Sequence, residues 1–251
     1  MRNTIEELHL AAQYLSATAI SFVEKKEDDS HTNLGWSSVK KRMETHVFGE
    51  GCQLALSLKT GHLEWLKDGK VTANTDLQDR RHAQNLSWIK KEAAKHGIKE
   101  EFSYSFHYDL PYKKLEFNHT YNFKEADLKV ISERLSLAKK AFKAFIKEVK
   151  VKGESRIWPH HFDLGFYGPL NKEANVLMGA GLAIPDDLVN DFYFYASGYK
   201  DEKPISTKDL KGLTNGEFKA NWNGATLSSK DISAEDAQQF LTESCTTYLN
   251  V

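Results

Sequence analysis

The sequence predicts an α+β fold of mostly antiparallel sheets with flanking helices, arranged as two similar helix–strands–helix halves. Three observations carry that prediction. Amphipathic helical stretches open the chain, close it and occur twice near its middle. Between them, runs with period-two apolar spacing follow one another directly, and Gly- or Asn-containing turns separate the runs. Strands in series bracketed by helices make antiparallel sheets, whereas alternating units make parallel ones.

The elements follow in order. Ile5, Leu8, Ala12 and Leu15 recur at helical spacing over residues 3–16, and Asn3 to Glu6 has the form of a capping box. The period then changes: residues 19–23 (AISFV) read as a strand, and the polar run 24–33 as a hairpin or loop. Over 45–66, Leu54, Leu56 and Leu58 alternate with Gln53, Ala55 and Ser57, with tight turns expected at Thr60-Gly61 and Asp68-Gly69. A second helix is expected over 79–96, stopped by Gly97. The aromatic-rich stretch 98–123 reads as an ordered connection between the halves.

A long helix over 124–150 carries a wide apolar stripe (Val130, Ile131, Leu135, Phe142, Phe145) backed by a lysine face. Such a face is most simply a solvated one, with Glu133 and Glu148 among the lysines. Extended patterns return over 155–166, 175–184, 191–197 and 217–227, turning at Asn223-Gly224. The chain closes on a helix from Ser233, where Ser233 to Asp236 forms a capping box. The expected organisation is two tightly packed halves, 1–123 and 124–251, or one domain built from both. Element order alone would admit a degenerate duplication.

Composition narrows the function classes. Thirty-four Lys and Arg against thirty-five Asp and Glu give a formal charge of −1, which lacks the positive field that phosphate-backbone binders need, so nucleic acid is not an expected partner. Cys52 and Cys245 are far apart, without metal-ligand spacing, and read as reduced buried thiols. Glu6, Glu7, His9 and Gln13 interrupt the first twenty residues, so these do not read as a signal peptide, and no run is long enough to span a membrane. A soluble cytoplasmic protein, monomer or homodimer and without a membrane partner, is the expectation.

No Walker loop, H-E-x-x-H, G-x-S-x-G or dinucleotide fingerprint is present, and no motif specifies a cofactor. The strongest constellation is residues 155–166, SRIWPHHFDLGF. As a regular strand it would put Trp158, His160, Phe162 and Leu164 on one face and His161 with Asp163 on the other, so adjacent histidines could not share a metal. On that reading His160 belongs to the core, unless Pro159 breaks the alternation. His161 and Asp163 are then a candidate catalytic pair, His161 as general base oriented by Asp163, or a structural His–Asp hydrogen bond.

In residues 191–199, Tyr193, Tyr195 and Ser197 alternate with Phe192 and Phe194. With Gly179 and Gly181 leaving space on the strand between, Tyr193, Tyr195, Ser197 and Trp158 become candidate ligand-binding residues of a small-molecule pocket. The simpler reading of Gly179-Ala-Gly181 is small residues that let something pack closely over a strand. His62, His82, His96, His107 and His119 stand in polar or turn contexts and read as solvated. Two further readings remain beside the pocket: a non-catalytic self-association or interaction module using the aromatic strands, and a metal-dependent hydrolase with histidines gathered from several strands.

The chain resembles a bacterial protein family of unknown function. The carrying features are the N-terminal helix with Leu8-His-Leu10, the strand pair around Cys52 to Trp65, the long helix ending near Val149, the Trp158-Pro-His-His-Phe-Asp-Leu164 segment and Asp191-Phe-Tyr-Phe-Tyr195. The resemblance implies a single-chain cytoplasmic protein. It brings no activity, cofactor or catalytic residue with it.

Overall fold

A computed structural model, described over residues 1–171, 175–219 and 221–251, shows the α+β class with two antiparallel sheets. The chain runs through α1 (Arg2–Phe22), then β1 (Gly35–Ser37), β2 (Arg42–Glu44), β3 (Cys52–Ser57), β4 (His62–Lys67) and β5 (Lys70–Asp76). Two helices follow, α2 (His82–Lys95) and α3 (Glu125–Val149). The remainder is β6 (Arg156–Trp158), β7 (Asp163–Asn171), β8 (Val176–Ala183), β9 (Tyr193–Lys200), β10 (Lys203–Pro204), β11 (Glu217–Phe218), β12 (Ala225–Ser228) and α4 (Ala234–Leu249). These elements divide into two compact units: Met1–Glu133 with Ile157–Phe162, and Arg134–Arg156 with Asp163–Val251.

In the first unit, β1 to β5 form a meander in sequence order. The expected turns are present: Asp68 and Gly69 both have positive φ, the backbone that joins β4 to β5 by a two-residue loop. Leu54, Leu56, Leu63, Trp65 and Leu66 are fully buried, and α1 packs across β3.

Helix α1 departs from expectation at both ends. No side chain caps it locally; instead Thr4 donates to Asp127 in the first turn of α3, at 2.7 Å. The strand expected over residues 19–23 is the last part of the helix, because Leu15 and Ala19 continue its buried stripe. Thr18, β-branched and locally strand-favouring, satisfies its hydroxyl on the Tyr14 carbonyl at 2.8 Å. Residues 8 to 19 are buried without interruption, polar ones included, so α1 is enclosed on all sides. Part of that enclosure is the non-helical stretch 98–123, whose Tyr104, Tyr108, Tyr112 and Tyr121 lie against helix residues.

In the second unit the sheet order is β11-β12-β9-β8-β7, with β10 paired to β9. One face carries Leu164, Phe166, Met178, Leu182, Phe194 and Ala196, all buried. Helix α4 contributes Phe240, Leu241, Cys245 and Tyr248 to this core, and α3 contributes Phe142 and Phe145. The expected capping box forms: Ser233 Oγ accepts from the Asp236 N–H at 3.1 Å, and Asp236 accepts from the Ser233 N–H at 2.8 Å. Burial pushes the Cys245 thiol up to about 11, in keeping with a reduced, unreactive cysteine. Of the lysines on α3, Lys140 pairs with Glu235 at 2.7 Å and Lys139 donates to the Ser155 carbonyl at 2.8 Å. Within the expected 217–227 pair, Ala220 lies outside the described residues.

Candidate functional site

The segment SRIWPHHFDLGF is not one continuous strand. Strand β6 ends at Trp158, residues 159–162 make a turn, and β7 begins at Asp163. Pro159, which cannot donate to a ladder, stands where the strand stops. The N–H groups of His161 and Phe162 both turn back onto the Trp158 carbonyl, at 3.2 and 2.7 Å. Phe162 takes φ +59°, a left-handed conformation that costs a bulky residue on the order of 1–3 kcal/mol.

The expected alternation is therefore overturned across this stretch. Instead of pointing to opposite faces, the two histidine rings lie side by side, with centroids 4.2 Å apart. His160 is half-buried rather than a core residue, with Tyr108 at 5.7 Å and Trp158 at 6.0 Å, while His161 is exposed. Burial, followed by the neighbouring His161, holds the His160 pKa below the ordinary imidazole value.

What fixes the strained turn comes from α1. His9 Nε2 donates to the Pro159 carbonyl at 2.7 Å, and Gln13 Nε2 donates to the same oxygen at 2.9 Å. The His9 ring also stacks on Phe162, centroids 4.9 Å apart and planes within 10°. Donation from Nε2 leaves Nδ1 as an acceptor for Tyr112, 3.3 Å away. Gln13 is satisfied at its other end by the Tyr108 hydroxyl at 2.8 Å, which in turn meets Ser16 at 2.8 Å. Burial depresses His9 to about 4, so it serves as a neutral donor at neutral pH.

One turn further along α1 lies a second buried pair. Tyr14 donates to His82 Nδ1 at 2.7 Å and accepts a long bond from Asn85 Nδ2 at 3.5 Å. His82 is buried, contrary to the expected solvated histidine, because stretch 117–119 folds over the start of α2. The His82 and Ala83 N–H groups, which a helix start leaves without intrahelical partners, bond the carbonyls of His119 and Phe117 at 2.8 and 3.1 Å. Burial lowers His82 to about 4 and raises Tyr14 to about 12, so neither group is charged at neutral pH.

The remaining predicted residues gather in the second unit. Gly165, Gly181 and Tyr195 stand opposite one another across β7, β8 and β9. A Cβ on Gly181 would lie 2.5 Å from the Tyr195 ring, so the ring occupies the space the glycine leaves. Lying over two glycines, Tyr195 reaches two strands away and donates to Asp163 Oδ2 at 2.5 Å. Burial first, then the Asp163 charge, raises its pKa. Tyr193 donates to Asp186 at 2.7 Å, and Ser197 to the Gly179 carbonyl at 3.3 Å. The space expected at Gly181 as part of a pocket is thus taken up by Tyr195.

Asp163 and Tyr195 meet directly, side chain to side chain. Trp158 and His161 belong to the first unit, whereas Asp163, Tyr193, Tyr195 and Ser197 belong to the second. Among the described residues, no group of three or more His, Cys, Asp or Glu side chains converges as a metal site. Sequence reasoning gave no site role to His9 and Gln13 and read the buried His82 as solvated. The available signal was His9, Gln13 and Ser16 at i, i+4 and i+7, polar residues in register on one helix face. No helix of the described residues is long and apolar enough to cross a membrane. The chain matches no family model, no curated protein and no solved structure.

Proposed function

We propose that the protein binds a small molecule at the His160–His161 turn, with Tyr108 and Trp158 as its aromatic neighbours. The observation that carries this reading is the Phe162 backbone, held in a left-handed conformation directly after the two histidines. Strain of this kind persists only where surrounding structure over-determines it, and it concentrates at ligand sites. His9 and Gln13 supply that structure with two buried donors on one carbonyl. The result is an exposed His161 and a half-buried His160 presented in fixed register beside two aromatic rings. Such a surface suits a ring-bearing polar molecule that exchanges hydrogen bonds with the two imidazoles and stacks on the rings.

The test is ligand-observed NMR of the full chain against a metabolite library, repeated with His161→Ala and His160→Ala. At least one ligand should lose its binding signal in both variants while circular dichroism stays unchanged. Finding that every ligand bound by the parent is bound equally by both variants would remove the reading. The self-association alternative is disfavoured by the burial of Phe192, Tyr193 and Phe194 in the aromatic strand. The proposal accordingly expects a size-exclusion position independent of concentration.

A further inference from the structure

A cavity of about 390 Å3 opens in the first unit, away from the histidine turn and lined by Leu86, Lys90, Glu101, Phe102, Ser103 and Tyr104. Its volume falls in the range of small-molecule sites, about 300–1,000 Å3. Leu86 and Lys90 are one helical turn apart on α2 and so present one stripe to it. The opposite wall is the extended stretch 101–104, which is tied down rather than loose. The Ser103 N–H donates to Ser21 Oγ at 3.0 Å, Phe102 meets Phe22 at 6.1 Å, and Tyr104 meets His82 edge-on at 4.8 Å and Tyr14 at 5.6 Å.

The lining divides by chemistry. Leu86, Phe102 and the Tyr104 ring are apolar, whereas Lys90 and Glu101 are exposed, oppositely charged and, among the described residues, ion-paired neither with each other nor with another side chain. The Tyr104 hydroxyl has no hydrogen-bond partner among the described residues, and burial keeps it protonated as a donor. A cation and an anion beside an apolar wall are complementary to a ligand that carries both charges next to a hydrocarbon or aromatic group.

We infer that this cavity takes a small zwitterion, an α-amino acid with an apolar side chain. Its carboxylate meets Lys90, its ammonium meets Glu101, and its side chain lies against Leu86, Phe102 and Tyr104. This site is independent of the one proposed at the histidine turn.

Isothermal titration calorimetry of the full chain tests it with L-leucine and L-phenylalanine, and with 4-methylpentanoate and isoamylamine as one-charge analogues of leucine. Leucine or phenylalanine should bind, and each analogue should bind about tenfold more weakly or less. Lys90→Met should weaken leucine and 4-methylpentanoate but leave isoamylamine unchanged, and Glu101→Gln should give the reverse pattern for the analogues. Both residues are exposed, so the fold should survive, and Ser103→Trp, which fills the cavity, should abolish binding. His161→Ala should change none of these affinities. Absence of binding by both amino acids at millimolar concentration, analogues as tight as leucine, or affinities indifferent to Lys90→Met and Glu101→Gln would each overturn the inference.

Discussion

The two units bury polar side chains in different ways. Around α1 in the first unit, polar groups sit on a helix, and a long non-helical stretch rich in tyrosine is folded over them; the groups that bond there are neutral imidazoles, amides and hydroxyls. In the second, a carboxylate and a tyrosine meet across three strands because register and two glycines leave room for one ring. All ten histidines of the sequence belong to the first unit and none to the second. The difference teaches where each unit is vulnerable: one to protonation, the other to changes of shape.

Acid should give the largest effect. His9 and His82 have folded pKa values of about 4 against an ordinary 6.5. The unfolded chain therefore takes up protons that the folded one refuses, and the stability contribution, intact above pH 6.5, is lost as pH falls toward 4. Each histidine can account for on the order of 3 kcal/mol over that window. Denaturant unfolding at pH 7 and 4.5, with hydrogen exchange resolved by residue, should show the first unit weakening ahead of the second. Equal loss of protection in both units would break the comparison.

Shape comes next. Tyr195→Phe removes a charge-assisted bond and should cost about 1.5–3 kcal/mol. Gly181→Ala pushes a methyl into the Tyr195 ring and should cost about 1–3 kcal/mol. If the ring is the reason, that second cost should shrink in a Tyr195→Ser background, which a double-mutant cycle in urea would measure. In the first unit, His9→Phe preserves the stack on Phe162 but removes one donor to Pro159; it should cost about 1 kcal/mol and perturb the His160 and His161 resonances. Smallest is Ser233→Ala, at about 0.5–1 kcal/mol for the lost cap of α4, read from the melting temperature.

What the sequence made legible was chemistry expressed within a few residues. The Ser233–Asp236 box, the Asp68-Gly69 turn and the close packing expected at Gly179-Ala-Gly181 all depend on local geometry, and the structure contains each. The Asp163–Tyr195 contact was within reach because strand order and period two suffice to align them. The full length of α1 was not legible: Thr18 and Ile20 favour extended backbone locally, and tertiary burial overrode them. Nor was the 159–162 turn, since nothing in a phenylalanine announces positive φ. His82 reads as a solvated histidine until the 117–119 stretch, some thirty-five residues downstream, closes over it.

The first unit is discontinuous, and that has a bearing on the order of assembly. Its α1 donors His9 and Gln13 find their shared acceptor only in residues 157–162, after the chain has already entered the second unit. A nascent polypeptide halted anywhere before Pro159 holds two buried donors with no carbonyl to receive them, and Leu34 lacks the Ile157 backbone it bridges. Folding of the N-terminal half during synthesis therefore has a missing last step, supplied late by a six-residue strap. Fragments cut at the end of α2 or within α3 should accordingly resemble intermediates rather than domains.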